Sequence, residues 1–211
     1  MDRWLKGALD YIPSWLDYQM QSTRQPGCLL AIVHRGKVVL ERGFGVANLA
    51  TGEAMTPRHR FRIASHSKSF TATGILKLRE QKRLRLDDPV GDHIKGLHRK
   101  TAEVTIAQLL SHGAGLVRDG HDSGYFNGRR AFPEADELMK AFAAAPVIEP
   151  GLRLKYSNHG YGLLGQIIAA VTGERYQTWI EREVVAAVGL KETIADMPLR
   201  RGTPFARGHT T

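Results

Sequence analysis

The sequence predicts an α/β (α+β) chain: an N-terminal helix and β-hairpin, then a mostly helical remainder. Residues 2–21 repeat apolar side chains at helical spacing, Trp4, Leu5, Ala8, Leu9 and Ile12, then Trp15, Leu16 and Met20, with a break expected at Pro13. Cys28–His34 and Lys37–Val46 are β-rich runs on either side of Arg35-Gly36, the pattern of two strands joined by a tight turn. Beyond residue 60 most of the chain returns to helical periodicity, up to Gly189, with a long loop between the helices.

Residues 51–62, with Thr51-Gly52, Pro57 and several charges, read as a connector. A helix is expected from Ser65 to Gln81. Its Thr71-Ala72-Thr73-Gly74 stretch is small enough to let neighbours approach, and Lys82-Arg83 suit a helix C-terminus. Leu86–Val90 holds a proline stop, and Thr105 caps a short helix with Ile106, Leu109 and Leu110 on one face. Residues 111–131, rich in Gly, Asp, His and Asn, form a long loop of the kind that is usually functional or mobile. A helix at about 134–145 follows, then the turn Glu149-Pro150-Gly151. Leu164, Ile167, Ile168 and Val171 mark a core-facing helix over 160–172 that Gly173 ends. A last helix carries Tyr176, Trp179, Ile180, Val184 and Ala187 up to Gly189. The domain reading is one domain over 1–211, with helix and hairpin in 1–50 and a mainly helical part in 60–190. A lone two-stranded hairpin is marginal in water, so this one calls for more strands or a helical cover.

With 211 residues the chain can bury roughly 70–75% of its unfolded surface. The net charge of +9, from 30 Lys and Arg against 21 Asp and Glu, raises the question of nucleic acid. The charges are scattered, however, and no aromatic residues interleave with them as a stacking platform needs, so a solvated basic surface is expected and no nucleic-acid partner. Cys28 is the single cysteine and excludes an internal disulfide; its apolar neighbours suggest a small buried residue. No stretch approaches the ~18 apolar residues of a spanning helix, so no membrane partner and a cytoplasmic location are expected.

Several chemistries lack their residues. No serine sits in a Gly-x-Ser-x-Gly elbow, and neither His-Glu-x-x-His nor paired Cys-x-x-Cys occurs. His93 and His98 are five apart and His112 and His121 nine apart, spacings that place no two ligands on one helix face, so no metal and no cofactor are expected. What remains is Ser65-x-x-Lys68. Three residues apart on a helix, the lysine nitrogen can reach the serine hydroxyl. A serine is a weak nucleophile until a base takes its proton, and a lysine serves as that base only when neutral. The same spacing also arises as a serine-rich helix start with an exposed lysine. Tyr156-Ser157-Asn158 adds a phenol able to relay a proton and an amide able to bind a substrate amide and orient the lysine. Its plain reading is a cap, Ser157 or Asn158, beside a packed tyrosine.

Three ordered blocks, Phe61–Val90, Thr105–Leu116 and Glu149–Val184, resemble the serine β-lactamase-related hydrolases, in the class C and penicillin-binding branch that also holds esterases and D-amino-acid peptidases. The likeness runs from about residue 25 to the end. It implies a β-lactamase/transpeptidase-like fold and a hydrolase that acts through an acyl-enzyme on a small-molecule amide or ester: a β-lactam, a short ester or a D-amino-acid peptide. By that resemblance Ser65 is the acylated nucleophile, Lys68 its general base or base partner, Tyr156 the second proton carrier and Asn158 a substrate contact. His66 and Ser67 take no role. The family's third motif, Lys or His followed by any residue and Gly on a strand beside the nucleophile, is missing from the chain after Tyr156-Ser157-Asn158. Ser111-His112-Gly113 and Asn158-His159-Gly160 lie in blocks already assigned, and His209-Thr210-Thr211 ends without glycine. The resemblance therefore implies an N-terminal portion whose sheet lacks its C-terminal strands, and leaves a catalytically incomplete or purely ligand- or partner-binding chain as the alternative. Oligomeric state is not legible in the sequence.

Overall fold

A computed structural model describes residues 2–120, 124–127, 129–130, 133–195 and 205–208. Part of the loop expected over 111–131 and the triplet His209–Thr211 lie outside the described residues. Those described fall into two compact units divided between Arg62 and Ile63, with Phe205–Gly208 belonging to the first.

The first unit opens with α1, Arg3–Thr23. The break expected at Pro13 does not occur: the helix continues through it. Proline removes one hydrogen bond and crowds the preceding turn. Leu5 on one side and Met20 on the other are both buried, so packing at both ends holds the helix together. Strands β1 (Gly27–His34) and β2 (Lys37–Asn48) pair antiparallel, His34 against Lys37, with an irregularity at Ile32/Val33. Arg35 and Gly36 have φ of 48° and 75°, the two positive values that a type I′ hairpin turn needs. A third strand, β3 (Glu53–Ala54), pairs with the end of β2, inside the stretch read as connector. Two residues of low strand propensity carry no strand signal, and β3 exists because the turn before it returns the chain to β2. Cys28 is half-buried on β1 rather than in the core, and burial pushes its thiol up. Phe205 bridges to Arg60, and Arg207 N–H donates to Ala47 O at 2.8 Å.

The second unit is helical: α2 (Ser67–Glu80), α3 (Val90–His93), α4 (Arg99–Ala102), α5 (Ile106–Leu110), α6 (Ala135–Phe142), α7 (Asn158–Thr172) and α8 (Tyr176–Ile180). Helix α7 runs through its centre, with Leu163, Leu164, Ile167 and Ile168 fully buried against Ile75 and Leu78 of α2, Ile106 and Leu109 of α5, and Trp179 and Ile180 of α8. Each such side chain contributes roughly 1.5–3 kcal/mol by burial. The small residues of α2 serve that packing. A Cβ on Gly74 would stand 2.9 Å from Ile180 Cδ1, and Thr71 Oγ1 lies 2.7 Å from Tyr176 Oη. Thr105 caps α5 in a full capping box with Gln108. The last helix reaches Gly189 as expected but is not uniform: α8 passes into a π-helical turn at Glu181–Val185 and a 3₁₀ turn at Ala186–Val188.

Candidate active site

All four residues singled out by motif come together within the second unit. Ser65 does not begin a regular α-helix. It sits on a 3₁₀ turn, Ala64–His66, that precedes α2, and Ala64 has a positive φ of 44°. A left-handed alanine costs of order 1–3 kcal/mol and persists only when the surroundings hold it. The turn leaves Ser65 exposed while Lys68, on the first turn of α2, is half-buried. Lys68 Nζ lies 3.2 Å from Ser65 Oγ and donates to Asn158 Oδ1 at 2.6 Å, and Tyr156 Oη lies 2.7 Å from Ser65 Oγ.

Tyr156 and Asn158 reach that point because α7 is capped where it is. Ser157 is the N-cap: its Oγ accepts from Gly160 N–H at 2.8 Å and donates to Val117 O at 2.6 Å. The flanking residues stand on either side of this cap. The segment 112–118 runs beside 147–158 and is tied to it by Val147 N–H to Gly115 O, Gly151 N–H to Gly113 O, Lys155 N–H to His112 O and Asn158 N–H to Arg118 O, all between 2.8 and 3.0 Å.

That segment brings residues the motif reading left without a role. The His112 ring packs on Tyr156 with centroids 4.4 Å apart, and its Nδ1 accepts from Ser157 N–H at 3.2 Å. The Arg118 guanidinium stands 5.5 Å from the Tyr156 ring centre. Asn158 Nδ2 donates to Asp119 Oδ1. His112 falls in a block that carried the resemblance, so its neighbourhood was legible. Asp119 sits in a Gly- and Asp-rich loop, where no spacing marks it.

Burial pushes the Tyr156 phenol up, but hydrogen bonds from Lys68 and Ser65 and the charges of Lys68 and Arg118 outweigh it and hold the phenol below its ordinary value. Burial, then the Lys68 charge, pushes His112 down, so its imidazole is neutral near pH 7. Among the described residues no His, Cys, Asp or Glu cluster is placed to hold a metal ion, and no helix is long and apolar enough to cross a membrane.

A sequence model of the beta-lactamase family matches residues 12–211. The chain belongs to the beta-lactamase family. Protein flp of Staphylococcus aureus (strain MW2) is 29% identical over 187 residues, which make up 86% of this chain and 37% of that protein. A beta-lactamase/D-alanine carboxypeptidase from Pseudomonas syringae gives a TM-score of 0.82 at 28% identity, covering 97% of this chain and 56% of that one. A class C beta-lactamase from Rhodobacter sphaeroides gives 0.74 at 27% identity, covering 88% and 51%. The chain thus spans about two fifths to just over half of the length of these beta-lactamase-family relatives. The β-lactamase/transpeptidase-like fold expected from the resemblance is the fold found, with a three-stranded antiparallel sheet.

Proposed function

We propose that this beta-lactamase-family chain carries the acylation site of a serine hydrolase whose substrates are small amides or esters: β-lactams, short esters or D-amino-acid peptides. The contact between Ser65 Oγ and Tyr156 Oη at 2.7 Å, with Lys68 Nζ 3.2 Å from the same hydroxyl, carries the reading. Tyr156 as phenolate takes the Ser65 proton. The positive charge of Lys68 stabilises that phenolate, which gives the lysine the role of base partner. Ser65 Oγ then bonds to the substrate carbonyl carbon and forms a tetrahedral oxyanion. As the intermediate collapses, the bond to the leaving group breaks and Tyr156 returns the proton to it, leaving acyl-Ser65. Water repeats the sequence and releases the acid. Asn158 holds Lys68 through its amide oxygen.

One oxyanion donor in this reading is the Ser65 backbone N–H. The other belongs to a Lys- or His-x-Gly strand that comes after the second motif in the family's order, and no such triplet follows Asn158 in these 211 residues. Loss of one such donor typically costs ~100–1000-fold in kcat. That absence favours a second reading, in which the chain binds or is acylated but does not turn over. Intact-mass spectrometry after incubation with a penicillin, and separately with a p-nitrophenyl ester, tests both. An adduct that Ser65→Ala loses and Ser67→Ala keeps is the expected result. Equal labelling of all three proteins rejects Ser65 as the nucleophile. Release of the adduct within minutes rejects the second reading.

A further inference from the structure

We infer that Asp119 is a positioning residue of this site: it holds the Asn158 side-chain amide in the one orientation that places its oxygen on Lys68. The geometry stands by itself, and only its catalytic consequence rests on the acylation reading above.

The amide lies between two partners with opposite demands. A lysine ammonium only donates and a carboxylate only accepts, so the oxygen faces Lys68 and the nitrogen faces Asp119. Lys68 Nζ donates to Asn158 Oδ1 at 2.6 Å, and Asn158 Nδ2 donates to Asp119 Oδ1. A flipped amide would set its NH₂ against the ammonium and its oxygen against the carboxylate, two repulsions in place of two charge-assisted bonds.

Asp119 is itself held. Its side chain is 11% exposed, Arg118 Nε stands 3.0 Å from its Oδ2, and Tyr125 Oη donates to its Oδ1 at 3.2 Å. Burial, followed by the Asp119 charge and hydrogen bond, pushes the Tyr125 phenol up to about 12, so this neighbour remains a donor throughout the working range. The backbone is fixed as well: Arg118 O accepts from Asn158 N–H at 2.9 Å, one residue from the carboxylate it supports. With one of its two amide protons committed to Asp119, Asn158 keeps a single proton for any substrate amide, and its first task is to orient the lysine.

The test is a rescue cycle read by acylation. Asp119→Ala lowers the rate constant for acylation of Ser65 by a p-nitrophenyl ester ~100-fold, the cost of misplacing a reacting group by about 1 Å, with little change in the half-saturating ester concentration. Asn158→Asp alone sets two carboxylates face to face and loses at least as much. Adding Asp119→Asn to it restores an alternating array, in which the new carboxylate at 158 accepts from Lys68 and from the new amide at 119. The double variant regains at least ~10-fold over Asn158→Asp. Wild-type rates in Asp119→Ala, or a folded double variant no faster than Asn158→Asp, overturn the inference. A second measurement separates it from the acylation reading. In ¹⁵N–¹H spectra the Asn158 side-chain amide, assigned by its loss in Asn158→Asp, exchanges slowly with solvent in the wild type and rapidly in Asp119→Ala. Should the wild-type chain take no acyl group, the acylation reading fails and the amide signal decides the role of Asp119; an Asn158 amide unmoved by Asp119→Ala overturns it.

Discussion

Tyr156 holds its oxygen between the Ser65 hydroxyl and two positive charges, those of Lys68 and Arg118, and these outweigh the burial that would keep it protonated. In the proposed mechanism the working form is the phenolate. Acylation therefore rises with pH through a midpoint below the ordinary tyrosine value of about 10. Arg118→Ala removes one of the charges that lower it, so the rising limb moves to higher pH. Tyr156→Phe eliminates the limb and costs ~100–10,000-fold. Acylation rates between pH 6 and 10.5 for the three proteins check this, and a limb that survives in Tyr156→Phe rules out the phenol as the base. Ser65, Lys68, Tyr156 and Asn158 were all legible as single residues because each lies in a motif only a few residues long. Asp119 was not, and His112 only as part of a longer block, because both meet partners about 40 residues away and no local pattern records that proximity.

Among the elements, the site depends on the paired segments 112–118 and 147–158, and on one position within them. Gly115 has a φ of 70°, and a Cβ there would meet Ile148 O at 2.2 Å. Gly115→Ala adds backbone strain and a clash with a carbonyl whose neighbours are hydrogen-bonded to Gly115 itself. The expected loss is about 2–4 kcal/mol of stability, measured by urea unfolding, together with slower acylation as Tyr156 and Asn158 move. A variant as stable as the wild type would show that the two segments are not held by this contact. Element types followed from periodicity, and the misses have separate causes. The chain continues through Pro13 because burial on both sides outweighs one lost hydrogen bond. The π turn at Glu181–Val185 lies in a stretch whose apolar spacing still reads as α-helix. Strand β3 owes its pairing to a turn and not to its two residues.

For the whole molecule, the buried His159 and the half-buried His112 set an acid limit on stability. Burial pushes His159 down despite the nearby charges of Asp119 and Glu137, and burial and Lys68 push His112 down. Neither ring nitrogen of His159 has a hydrogen-bond partner. Both folded-state values lie below the ordinary 6.5 or so, so on acidification the unfolded chain takes up protons first. Stability conferred by the neutral rings is complete above that value and declines as the pH falls from about 6.5 toward the folded values. Glu174, held low by Arg182, and Glu183, held low by Lys77 and then Arg182, lose their contribution only in the more acidic carboxylate range, so the windows separate. Calorimetry from pH 7.5 to 5 should show a falling Tm that His159→Gln flattens in part. A Tm constant over that range in the wild type rejects these neutral histidines as the cause.

The amino-acid sequence by itself determined the order of the longer elements, the family and the four motif residues, since periodicity, caps and short motifs are local properties of a chain. Only the tertiary structure decided how those residues meet. It placed Ser65 on a 3₁₀ turn ahead of its helix, set Tyr156 and Asn158 on either side of the Ser157 cap, and brought Asp119 to the far side of the Asn158 amide. The reason is physical: the direction of a hydrogen bond and the balance of charge around a phenol depend on groups far apart in sequence, which packing alone brings together.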